Sequence, residues 1–141
     1  MTPDPIDLKA RCNAIEECYE FMLAYAAQGI VDEAGSQSAG ELRTFLGRAE
    51  TALVDLADTC RGEVEHSGFE HVDKYLAFID VLDRDARSTL AAVQLVMAQP
   101  SISSQLIDNL NASIHVRALL TDLFLIDEIL KGRARTTSSR S

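Results

Sequence analysis

The sequence predicts an all-α fold, an antiparallel four-helix bundle, on three observations. Apolar residues recur at alternating spacings of three and four along four segments, the period of a helix with one buried face. Aromatic residues make up only 6% of the chain and Trp is absent, although 47% of residues are hydrophobic. Core volume must then come from Leu, Ile, Val and Ala, which suits helix packing better than a sheet sandwich. Most connections between the segments are short, and short connections favour antiparallel neighbours in an up-down-up-down order, with a crossover open to the longer first loop. A chain of 141 residues is one domain by the usual size relation and can bury a core without disulfides. The expected division is a bundle over 1–131 and a flexible, disordered basic Ser/Thr/Arg tail over 132–141.

The first helix is read from Leu8, Cys12, Ile15, Tyr19, Met22 and Ala26. Pro5 with Asp4 or Asp7 suits its first turn, and Gly29 suits a left-handed residue past its end. After the loop GIVDEAGSQS, Ser38 and Glu41 have capping-box spacing and open a second helix carrying Leu46, Ala49, Leu53, Leu56 and Cys60. Ser67 and Glu70 repeat that spacing and open a third. Its stripe is Val72, Leu76, Ile79, Leu82, Ala86, Thr89, Val93 and Val96, with room for an irregularity near Asp83–Arg87. Pro100 closes this helix, because proline excludes helical geometry from the residue before it. Ser101, Ser103 or Ser104 caps the fourth, which runs past Ile107, Leu110 and Ile114 to about Lys131, with Gly132 as its stop.

The second half of that helix, ALLTDLFLIDEIL, is apolar on more than one side. Leu119, Leu123, Ile126 and Leu130 form one stripe, while Leu120, Phe124 and Leu125 point elsewhere. Such a wide arc has two readings: the centre of the bundle, or one half of a subunit interface. The interface reading names Leu119, Leu120, Leu123, Phe124, Ile126 and Leu130. It predicts a homo-oligomer, a dimer, that Leu123→Asp dissociates, and a non-enzymatic protein acting through protein–protein contacts.

Charge narrows the other classes. The net charge is −9, and the eleven residues from Lys131 hold four basic groups and no acidic one. Residues 1–130 therefore carry 9 Lys and Arg against 22 Asp and Glu. So acidic a body repels phosphate backbones, which excludes nucleic-acid binding through its folded surface. No apolar run approaches a membrane span, and no basic segment precedes an apolar one at the N-terminus. Three cysteines without CxxC spacing do not make a disulfide framework or a zinc ribbon. A cytoplasmic location follows as the expectation.

Polar constellations concentrate in RGEVEHSGFEHVDK, Arg61–Lys74. Glu63 and His66 stand one turn apart, the Glu-x-x-His arrangement by which ferritin-like bundles hold iron or manganese. Glu20 on the first helix and Asp80 on the third complete a candidate metal set with them. Such sites use two Glu-x-x-His pairs, and here one is present, because Ala112 stands three residues before His115. The expectation is therefore no cofactor, with iron or manganese as the alternative. Arg61 and His66 also resemble the Arg-x₄₋₆-His signature of small all-helical ribonucleases of the HEPN class. That resemblance covers six residues; it implies a histidine acid or base and an arginine on the phosphate. His115 reads as a half-buried structural histidine bonded to Asn111 or to a neighbouring helix. Cys12 and Cys60 read as core positions. Cys18 reads as an edge position whose acidic neighbours raise its thiol pKa.

Overall fold

A computed structural model describes residues 7–140, with side chains described for 7–133. Six helices follow one another: α1 (Leu8–Ala26), α2 (Gln37–Leu53), α3 (Leu56–His66), α4 (Val72–Met97), α5 (Ser104–Ala112) and α6 (Ile114–Arg140), with no strand among the described residues. The all-α class stands. Two of the four expected helices are each divided in two.

The first division falls at Val54 and Asp55. Val54 is extended and Asp55 is left-handed, with φ 59°. A helix that ends inside the protein leaves carbonyls without N–H partners, and here α1 supplies them. Arg11, 6% exposed, donates from Nη1 to the carbonyls of Thr51 (3.4 Å), Ala52 (3.1 Å) and Val54 (2.5 Å). A cation at a helix C-terminus also meets the negative end of the helix dipole. The second division falls at Ser113, which is extended. Its Oγ accepts from His115 N at 3.2 Å, and Thr89 Oγ1 on α4 donates to the His115 carbonyl at 2.9 Å. Neither break interrupts burial: Leu53, Leu56, Leu110 and Val116 all lie in the core.

Capping follows neighbouring residues rather than those expected. Asp7 caps α1 through Ala10 N; Asp4 and Pro5 lie outside the described residues. Ser36, not Ser38, caps α2 by accepting from Ala39 N at 3.2 Å, and Glu41 instead accepts from Gln37. Ser67 does not open α4. It donates to the Glu63 carbonyl at 2.6 Å, and α4 begins after a left-handed His71. Of the three serines offered for the fourth helix, Ser103 is the cap of α5. The helix α4 passes through 83–87 without interruption. Likewise α6 continues through Gly132, where a stop is expected. The flexible tail over 132–141 falls mostly on residues whose side chains lie outside the description.

One end of the molecule is tied by polar groups between the loop after α1 and the loop before α5. Tyr25 donates to the Ile102 carbonyl (2.6 Å), and Ser104 Oγ donates to the Tyr25 carbonyl (2.6 Å). Ser104 and Ile30 exchange two further hydrogen bonds (2.7 and 2.8 Å). Arg43 grips Glu33 with two bonds (2.7 and 2.9 Å) and donates to the last carbonyls around α4, Met97 at 3.1 Å and Gln99 at 2.9 Å. Glu33 also accepts from Ile102 N. The Arg43 contacts hold the Glu33 carboxyl below its ordinary range. The core between the ends is filled by Tyr25, Leu42, Leu46, Leu56, Ile79, Leu82, Ile107, Leu119, Leu123 and Ile126, each essentially without solvent contact.

Candidate functional site

The turn read as a metal or ribonuclease site is solvated and self-contained. Glu63 and His66 are both exposed, and the core position of that turn is taken by Val64. His66 Nδ1 lies 2.8 Å from the Gly62 carbonyl. Arg61 is committed to carboxylates, Asp58 at 2.8 Å and Asp80 at 3.0 Å, and these pairs hold its pKa above the usual arginine value. A phosphate at this arginine would have to displace two acids already in place. Glu20 is exposed on α1. Glu63, His66, Glu20 and Asp80 are not gathered: among the described residues, no group of three or more His, Cys, Asp or Glu side chains is placed to hold a metal ion.

The expected interface residues separate into two sets. Leu119, Leu120, Leu123 and Ile126 are buried in the chain's own core, and Leu130 is half-buried against it. The wide arc on α6 is thus, for these residues, the bundle centre. Leu123→Asp would place a charge at a site 1% exposed and break the fold rather than separate subunits. Phe124 is the exception, at 55% exposed. With Cys12 it lines a groove between α1 and α6, whose rims carry Lys9, Glu16, Asp127 and Lys131. Lys131 pairs with Asp127 at 2.9 Å. Burial, and then the Asp127 charge, raise the Glu16 carboxyl.

A different part of the α6 surface is apolar. Ile114 is 72% exposed, Leu125 50% and Ile129 40%. Ile114, expected in the core stripe, instead faces out beyond the Ser113 break. Ile114, Ala118, Thr121, Leu125 and Gly132 succeed one another at spacings of four, three, four and seven residues, which sets them in one row on a helix. The first three, with Arg117 and Asp122, line a shallow groove.

Asp122 borders that groove yet is 8% exposed, with Oδ2 lacking a hydrogen-bond partner among the described residues. Burial, followed by a hydrogen bond and charge repulsion from Asp85 on α4, pushes its carboxyl up to about 7. Asn111, at the end of α5, is likewise 8% exposed and its side-chain O and N both lack partners among the described residues. It does not bond His115, which is exposed. Neither Asp122 nor Arg11 belongs to a motif of the sequence. Their one signal is phase: Asp122 lies three residues after Leu119 and four before Ile126, and Arg11 four before Ile15. A charged residue in the core phase of a helix needs a buried partner.

The cysteines are inert: all three are buried and free, with thiols pushed up to about 12 chiefly by burial. Cys18 is not an edge residue. At 2% exposed it lies deeper than Cys12, and burial rather than acidic neighbours raises its pKa.

No helix among the described residues is long and apolar enough to cross a membrane. Comparison with family models, with curated proteins and with solved structures gives no match. What fold and surface define is therefore a class: an all-α chain whose outward apolar row lies on its last helix.

Proposed function

We propose that this chain is a non-enzymatic binding module that acts by receiving a helix of a protein partner along the outer face of α6. The carrying observation is the row through Ile114, Thr121 and Leu125, exposed around a half-buried Ala118 and with Ile129 at its edge, on a helix whose opposite face already fills the core. A second apolar stripe on a helix that has satisfied its own core is the pattern of a helix-in-groove contact. The absence of a convergent group of ligating residues among the described ones directs attention to this face rather than to the Glu63–His66 turn.

We also infer the arrangement that presents it: four antiparallel legs, namely α1, α2 with α3, α4, and α5 with α6. The support is the order of cross-helix bonds. Arg43 meets residues 97 and 99 while Glu50 meets Gln94, and Thr89 meets residue 115 while Asp85 meets Asp122. A reducing, cytoplasmic setting suits three buried free thiols.

A photo-crosslinking residue placed at position 125 in living cells tests the binding face. The expected result is a discrete protein adduct at 125 and none from the exposed position 44 on α2. Equal labelling at both positions, or none at either, overturns the reading.

A further inference from the structure

We propose that the helix received by α6 is a basic one, which brings a lysine or arginine into the shallow groove beside the acid pair Asp85–Asp122. This rests on the reading of α6 as a binding face and adds the chemistry of the partner. Asp122 lines that groove together with Ile114, Arg117, Ala118 and Thr121, and it is the buried member of the lining. It is 8% exposed, and its Oδ2 has no hydrogen-bond partner among the described residues. The group that acts on it from α4 is Asp85, half-buried and of the same sign. A buried carboxylate is ordinarily held by a cation or by several donors. Here burial and a second acid both oppose its charge, and no positive group among the described residues offsets them.

The arginine already at the groove does not fill this role. Arg117 is exposed and precedes Asp122 by five residues, about 140° around the helix. The surroundings instead suit the stem of a long basic side chain from outside. Val81 stands four residues before Asp85 and Leu125 three after Asp122, and they are 37% and 50% exposed. In the antiparallel arrangement inferred above, these two flank the acid pair from either helix. Lysine and arginine lay their methylenes along such apolar surface while the charged head reaches a polar group. An acidic side chain would meet two acids, and an apolar one would cover them without balancing their charge.

Charge at longer range selects the same partner. Residues 1–130 carry 9 Lys and Arg against 22 Asp and Glu, so the body attracts a basic helix and repels a second copy of itself.

The test combines the photo-crosslinking residue at position 125 with Asp122→Asn, which removes the charge and keeps the size. Wild type is expected to give an adduct with a different protein. Peptide masses of that adduct are expected to place a lysine or arginine within about four residues of the attachment point, one helical turn. Asp122→Asn is expected to lower the adduct yield by at least about tenfold. Its melting temperature should not fall, because the change relieves a buried carboxyl. Asp85→Asn, at a half-buried position, is expected to lower the yield in the same direction, and it carries the test if Asp122→Asn melts early. Full yield from both variants overturns the cation and leaves the binding face intact. A yield that falls while the attached segment holds no basic residue overturns the cation as well. An adduct between two copies of this chain overturns the basic partner. No adduct at position 125 in wild type overturns the face itself, and this inference with it.

Discussion

Two regions along the α4 helix handle polar groups in opposite ways. At its C-terminal end, the clamp of Tyr25, Glu33, Arg43 and Ser104 joins two loops, and these side chains have partners. In its middle, where Asp85 meets Asp122 of α6, Asp122 Oδ2 is buried without a partner among the described residues, as are both side-chain polar atoms of Asn111 at the end of α5. A satisfied network fixes geometry; an unsatisfied one costs stability at its own position. The difference teaches that the clamp between the loops is the better matched part of this molecule, and that the helix presenting the outward apolar row carries the less well compensated buried group. Local stability in proteins is uneven in this way, and binding elements are drawn from its lower end.

The largest expected effect comes from removing the clamp. Arg43→Ala strips two bonds from Glu33 and leaves the carbonyls of Met97 and Gln99 without this donor. A loss of about 2–4 kcal/mol in denaturant unfolding is expected from so many charge-assisted bonds. Because Arg43 holds the Glu33 carboxyl below its unfolded value, that part of the stability is present above the unfolded pKa. It disappears as pH falls through the folded one. The variant should lack this acid-labile component. A loss below about 0.5 kcal/mol, the range of ordinary surface changes, would mean that the clamp is no firmer than the rest.

The second effect has the opposite sign in pH. The Asp122 carboxyl is raised to about 7 from an ordinary value of 3.8. Between those values the folded state binds more protons than the unfolded state, so stability falls as pH rises across the window and levels off above it. Asp122→Asn keeps a neutral side chain at every pH. It should flatten the dependence and exceed wild type at pH near 8 by about 1–2 kcal/mol, the scale of a buried group without partners. Equal slopes for the two proteins would show that the Asp122 carboxyl is not raised in the folded state.

The sequence made the helical class and most of the core legible, because period alone identifies Ile15, Leu46, Ile79, Leu82 and Leu123 as inward residues. It could not reveal the two breaks. Leu53 and Leu56 keep helical spacing across Val54–Asp55, and neither Asp55 nor Ser113 is the glycine or proline that usually marks a stop. The break at Asp55 is held by Arg11, whose carbonyl partners lie 40 to 43 residues away in sequence, and a local pattern carries no trace of such a bond. For the binding face the legible part was its element. The wide arc belongs to α6, but burial divides it: Leu119, Leu120, Leu123 and Ile126 face inward, while Leu125 and Ile129 remain outside. Which side of a doubly apolar helix is covered depends on where α1, α4 and α5 lie, and that is a property of packing.

The smallest expected effect is also the most direct comparison of the two regions. Asn111 has its branching and heavy-atom count in common with leucine and is 8% exposed, and its amide finds no partner among the described residues. Asn111→Leu therefore removes a desolvated amide and adds apolar contact to the neighbouring core, where Leu110 and Ile107 already lie. A gain of about 1 kcal/mol in thermal or denaturant unfolding is expected, the balance of a relieved polar burial against imperfect fit. A loss instead would mean that the amide is hydrogen-bonded in solution. The α5–α6 leg would then hold one fewer unmatched buried group, and its difference from the clamp would have to rest on Asp122 alone.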